Sequence, residues 1–184
     1  NEFPIDVFQT GSGTSSNMNA NEVIANLASK NSKLDIGAND DVNMSQSSND
    51  VIPTAIKVSA YMDLTKKLYP ALDKLINEID KKAESVSGIA KTGRTHLMDA
   101  MPVDFSDELK AWSSQLNASR KMLGVIEERF LEMPQGGTAV GSGINAHKQF
   151  AKIFAKELTK LSGSNCKCVP SSNFFHELSA QDCS

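Results

Sequence analysis

The sequence predicts a mainly α protein built as an elongated bundle of long helices, and three observations predict it. Apolar or small residues recur in alternating steps of three and four at Val51, Ala55, Val58, Met62, Thr65, Tyr69, Leu72, Ile76, Ile79 and Ala83, the heptad seam of a helix that packs lengthwise on a neighbour. The same alternation runs through Phe105, Leu109, Trp112, Leu116, Ser119, Leu123, Ile126, Phe130 and Met133. No run of β-branched residues alternates with polar ones, and the Gly, Pro and Asn clusters fall between helical stretches, so little of the chain reads as strand.

Each element follows from local chemistry. A first helix is expected from Asn17 to Lys30. The first seam helix runs from Asn49 to Ser85, and at 1.5 Å per residue it spans about 55 Å. Pro53 sits in its first turn, where a missing N–H costs little, whereas Pro70 lies mid-helix and is expected to bend it. The second seam helix, Asp104 to Met133, spans about 45 Å by the same rise. A last helix runs from Ala146 to Leu161 and is ended by Gly163. Ile52, Ile56, Leu68 and Leu75 flank the main seam. They give more apolar surface than one short bundle covers, so helices of other chains are expected to complete it.

Composition narrows the function. The 184 residues amount to about one domain. A formal charge of -3 leaves no basic stripe to neutralise phosphates, which argues against nucleic acid as a partner. No apolar run approaches the roughly 20 residues of a spanning helix, so no membrane is implied. Cys166, Cys168 and Cys183 have neither zinc-finger nor redox spacing and read as reduced thiols of an intracellular protein. His96, His147 and His176 lack metal-motif spacing, so no metal is expected. The chain opens at Asn1 rather than Met and reads as a segment of a longer polypeptide.

Three polar segments lie between the helical stretches: Gly11-Ser12-Gly13-Thr14, Ser45-Gln46-Ser47-Ser48-Asn49-Asp50 and Gly93-Arg94-Thr95-His96. Clustered uncharged donors suit a small, oxygenated anion. Each segment also has a plainer reading. Ser47 or Ser48 is a good N-cap, with Asp50 completing an approximate capping box; the same helix N-terminus is a seat for a carboxylate. Gly-Ser-Gly-Thr is a frequent turn that equally lets backbone approach a ligand. His96 is expected in a loop between bundle helices, where an imidazole can shuttle a proton or stand exposed. Gly136 to Gly143 has no P-loop lysine and reads as a close-packed turn.

In order along the chain, Gln9 to Thr14, Ser16 to Val23, Asn39 to Asn43, Ser45 to Asp50, Gly93 to Ala100 and Gly136 to Asn145 resemble the class II fumarate hydratases of the fumarase/aspartase superfamily. The resemblance covers nearly the whole chain. It implies the long-helix bundle of that superfamily, with residues 1–46 ending an N-terminal domain and 47–184 beginning the central bundle. It also implies reversible hydration of fumarate to L-malate in the tricarboxylic acid cycle, without metal or cofactor, in the cytoplasm or mitochondrion. Ser12, Gly13, Thr14, Ser47, Ser48, Asn49 and Thr95 match substrate-binding positions, and His96 matches the histidine that acts with the active-site water. Family active sites are shared among three subunits of a homotetramer. The family's mobile loop, with its Gly-Ser-Ser and Pro-Gly-Lys-x-Asn signature, is absent, so the chain by itself is expected to be inactive. Asn39 and Asp40 match a second dicarboxylate site, which is weakened by Gly37 in place of a histidine. Two rivals remain. Aspartate ammonia-lyases resemble Gly-Arg-Thr-Gln where this chain has His96, and a non-catalytic helical assembly module would keep the fold without the chemistry.

Overall fold

A computed structural model describes residues 2–6, 13–163 and 167–174. The chain is mainly helical, in two compact units: residues 1–61 with 129–184, and residues 62–128.

In the first unit, helix α1 (Thr14–Ser32) starts three residues earlier than expected. Its entry is Gly13, in the left-handed region at φ 67°; a Cβ there would meet Ile52 Cγ1 at 2.7 Å, so close packing and backbone conformation both require glycine. A π-helical turn, Ala38–Val42, follows. Helix α2 (Ser48–Asp63) begins one residue before the expected Asn49, and Pro53 is its sixth residue, inside the helix and not in the first turn. The core of this unit gathers Tyr61, Met133, Ala155 and Cys168, with Val58, Phe130, Leu131 and Leu158 packed against it. Helix α5 (Phe150–Ser162) ends at Gly163 but begins four residues later than the sequence suggests, because Ala146 to Gln149 form turns.

Pro70 leaves its mark just upstream of itself. Residues Leu64–Leu68 form a π-helical turn between α2 and α3 (Tyr69–Ser85). Proline has no N–H for the Lys66 carbonyl and its ring crowds that oxygen; widening the preceding turn relieves the crowding.

In the second unit α3 packs on α4 (Phe105–Ile126). The α3 seam is as expected, with Tyr69, Ile76 and Ala83 buried. The α4 seam is rotated. Leu109 and Ser113 are buried, Leu116, Arg120 and Leu123 are half-buried, while Trp112 is 50% exposed. The rotation follows from specific pairs. The Arg120 guanidinium lies 3.6 Å from the Tyr69 ring centre and donates to Asp73 at 3.2 Å. The Tyr69 hydroxyl donates to Glu127 at 3.1 Å, and its pKa is raised by burial and by that carboxylate. The α4 helix also stops short of Met133: Glu127–Leu131 tighten into a 3-10 turn, and Glu132–Met133 (β3) pair in parallel with Val169–Pro170 (β4). Met133 thus serves the first unit's core instead of the seam.

The expectation that little of the chain is strand is corrected at two places, the short β3–β4 pair and a longer hairpin. Ala90–Thr95 (β1) and Met98–Asp104 (β2) form an antiparallel hairpin. Main-chain pairing carries it, since most of its side chains are exposed and no alternating apolar face is needed. Gly93 sits at a register irregularity, where a Cβ would come within 2.6 Å of the Met101 carbonyl oxygen. Among the described residues no helix is long and apolar enough to cross a membrane.

Candidate active site

The first unit brings two of the three polar segments together. Gly13 packs on Ile52 and Asn17 Nδ2 donates to Ser48 Oγ at 3.0 Å, so the first turns of α1 and α2 lie side by side, with Thr14 on one and Ser47, Ser48 and Asn49 at the other. Gly11 and Ser12 lie outside the described residues.

The capping box is present, with an aspartate in the usual glutamate position. Ser47 Oγ accepts from the Asn49 N–H at 3.2 Å, and Asp50 Oδ1 accepts from the Ser47 N–H at 2.9 Å. The Asp50 and Val51 N–H groups both donate to the Ser47 carbonyl. This changes the carboxylate-seat reading. The main-chain N–H groups of Asn49, Asp50 and Val51 are already taken, which leaves a ligand the Ser48 N–H, one hydrogen of the Asn49 amide and the half-buried Ser47 and Ser48 hydroxyls.

Asp50 has a second task that spacing does not reveal. Its side chain is wholly buried, and Oδ2 accepts from the N–H groups of Gly136 at 3.0 Å and Thr138 at 2.8 Å. Gln135 Nε2 lies 3.4 Å from Oδ1 and bonds Gln46 Oε1 at 3.2 Å. Desolvation raises the Asp50 pKa, and the main-chain N–H groups of Ser47, Gly136 and Thr138 partly offset it. The glycine loop is the close-packed turn expected: a Cβ on Gly136 would meet the Ala151 Cβ at 2.6 Å. Asn49 Nδ2 donates to the Ala139 carbonyl at 2.9 Å, so the loop also orients that amide.

An asparagine cluster lies behind the serines. Asn43 Oδ1 accepts from Asn17 Nδ2 at 3.2 Å and from Asn21 Nδ2 at 3.0 Å. Asn17 and Asn21 are buried. Motif spacing does not single them out, although Asn17, Asn19 and Asn21, alternating in the first turns of α1, are an unusual load of poor helix formers and are a signal that something must hold their amides.

Thr95 and His96 belong to the second unit and are exposed. His96 is not in a simple interhelical loop; it and Leu97 are the two central residues of the hairpin turn, with φ of 47° and 62°. Two left-handed residues are the mark of a tight two-residue turn, normally Asn-Gly. Leu97 is 96% exposed. Asn39 and Asp40 are exposed on the π-helical turn, and Asn39 Nδ2 donates to Asp40 Oδ1 at 3.1 Å. Of the cysteines, Cys168 is buried; Cys166, Cys183 and His176 lie outside the described residues.

A family profile described as lyase matches residues 1–183. A class II fumarate hydratase from Xylella fastidiosa is 49% identical over 98% of this chain and 38% of its own length. Its counterpart from Bacillus subtilis is 47% identical over 98% of this chain and 40% of its own length. The crystal structure of recombinant class II fumarase from Schistosoma mansoni superposes with a TM-score of 0.89 at 36% identity, over 96% of this chain and 41% of that one. The chain therefore spans about two-fifths of the length of the relatives it matches.

Proposed function

We propose, on the premise that this chain belongs to the lyase family and has the long-helix fold of the fumarase superfamily, that it carries three segments of the substrate site of a class II fumarate hydratase. The activity is reversible hydration of fumarate to L-malate, in the cytoplasm or mitochondrion. One observation carries the reading: Ser47, Ser48 and Asn49 stand in order at the N-terminus of α2, held by a buried carboxylate behind them, in a chain 49% identical to a curated enzyme of that name.

The chemistry follows from charge. Removing the malate proton next to a carboxylate builds negative charge on that carboxylate, and donors aimed there beforehand stabilise it without reorganisation. Ser47, Ser48 and Asn49, with Ser12, Gly13 and Thr14 from the first segment and Thr95 from the hairpin, take the two carboxylates. His96 works with the reacting water as proton carrier. No metal or organic cofactor enters this scheme. Asn39 and Asp40 form a weakened second dicarboxylate site, because Gly37 offers no side chain and one Asn39 amide hydrogen goes to Asp40.

The working enzyme is a homotetramer whose sites combine segments of different subunits. Apolar side chains left open on the second unit support this: Leu68 and Leu75, with Trp112, Met122 and Val125 on α4. Residues 1–46 close an N-terminal domain and 47–184 open the central bundle. The test follows fumarate absorbance after L-malate, and separately L-aspartate, is added to the full-length protein. Fumarate from malate supports the hydratase; fumarate from aspartate alone moves the protein to the ammonia-lyases, and silence with both leaves an assembly module.

A further inference from the structure

We infer that Asn17 is a positioning residue for this site, fixing the Ser48 hydroxyl as a hydrogen-bond donor toward the substrate; the inference rests on the fumarate hydratase reading. Direction in the asparagine cluster starts at Met18, whose thioether sulfur can accept but has no hydrogen to donate. Asn21 Nδ2 lies 3.8 Å from Met18 Sδ and 3.0 Å from Asn43 Oδ1. With the Asn21 nitrogen on that side, Asn43 presents its oxygen. That oxygen takes a second amide hydrogen from Asn17 Nδ2, at 3.2 Å.

Asn17 Nδ2 has one hydrogen left, and it goes to Ser48 Oγ at 3.0 Å. A hydroxyl that accepts on one side turns its own proton elsewhere. Among the described residues no acceptor takes the Ser48 proton, and Ser48 is the first residue of α2 and half-buried. A carboxylate oxygen, which accepts and has no hydrogen of its own, can take that proton. Asn17 is 4% exposed and Asn21 7%, so reversing the cluster would strand buried amides at a cost that water does not relieve.

The test is Asn17→Asp in the full-length protein. This near-isosteric change replaces the donor by an acceptor, so Ser48 turns its proton inward. At neutral pH the KM for L-malate is expected to rise about tenfold, the loss of one hydrogen bond to a charged group, with a smaller change in kcat. As pH falls through the carboxylate range, the introduced carboxyl group gains a proton, donates again, and KM recovers relative to wild type. Ser48→Ala raises KM comparably, and the double variant is no worse than either alone. Asn43→Asp keeps an acceptor at the centre of the chain of bonds and is expected to raise KM less than Asn17→Asp; this variant decides the matter if Asn17→Asp does not fold. A rise with Asn17→Asp that ignores pH and adds in full to that of Ser48→Ala overturns the inference and leaves the hydratase intact. So does an equal or larger loss from Asn43→Asp. If Ser48→Ala itself leaves malate KM unchanged, or the wild type makes no fumarate from malate, the site reading fails and takes this inference with it.

Discussion

The α2 entrance and the hairpin tip are both short polar segments, yet they are built on opposite principles. At α2, Ser47 to Asn49 are backed by a wholly buried carboxylate with donors from Ser47, Gly136 and Thr138. At the tip, Thr95 and His96 stand exposed on a turn whose two central residues both carry positive φ. One region is finished within its own unit. The other holds its shape by two paired strands and presents its side chains to whatever comes next. Under the proposed function the contrast separates a cradle for carboxylates from a group that moves a proton, and it predicts that damage at the two places will read out differently.

The largest expected effect is on rate. His96→Asn in the full-length protein should lower turnover by about a hundredfold or more, the lower end of what a positioned acid or base supplies, while size-exclusion elution and melting temperature stay put. Near-normal turnover would refute the role given to His96. Asp50→Ala should act the other way round. Leaving buried N–H groups of Gly136 and Thr138 without an acceptor costs about 3 kcal/mol, seen as a melting temperature several degrees lower. An unchanged melting curve would mean that the carboxylate is not what joins α2 to the glycine loop.

A smaller effect tests the tip. Leu97→Gly removes a side chain from a left-handed position that disfavours one, and is expected to stabilise by at most about 1 kcal/mol. Destabilisation would show that Leu97 is buried by a partner in solution.

The smallest effect is a difference of sign with pH. Asp50 has its pKa raised by desolvation; a group raised on folding contributes stability below its unfolded value and loses it as pH rises through the folded one. Asp104 caps α4 by accepting from the Ser106 N–H, and its pKa is lowered by the Ser106 hydroxyl first, then by the Ser106 and Gly88 N–H groups. Its contribution is present above the unfolded carboxylate value and fades as pH falls through the folded one. Melting curves of Asp104→Asn and wild type should therefore converge in acid, and those of Asp50→Asn should show the opposite trend. Parallel trends would break the comparison.

Much of this was legible in the sequence because it is periodic or local. The α3 seam, the capping box at Ser47 and the stop at Gly163 follow from spacings of three and four residues or from a single residue type. The hairpin was not legible, since His96-Leu97 lacks the Asn-Gly signal and its strands bury no face that would impose alternation. Nor was the second role of Asp50, whose partners lie 85 to 88 residues away. On α4 apolar residues occur on more than one face, and only the pairing of Arg120 with Tyr69 and Asp73 decides which turns inward.

The first unit is interrupted: residues 62–128 are threaded between its two halves. On the ribosome the second unit is contiguous and can fold as soon as its last helix emerges. The first must wait. Helices α1 and α2 leave the tunnel with Asp50 lacking its Gly136 and Thr138 partners and with Tyr61 lacking Met133, Ala155 and Cys168. Closing that gap then costs little, because loop-closure entropy grows only as the logarithm of length. Nascent chains paused before residue 133 are accordingly expected to offer α2 to chaperones, and those that have emerged past residue 168 to hide it.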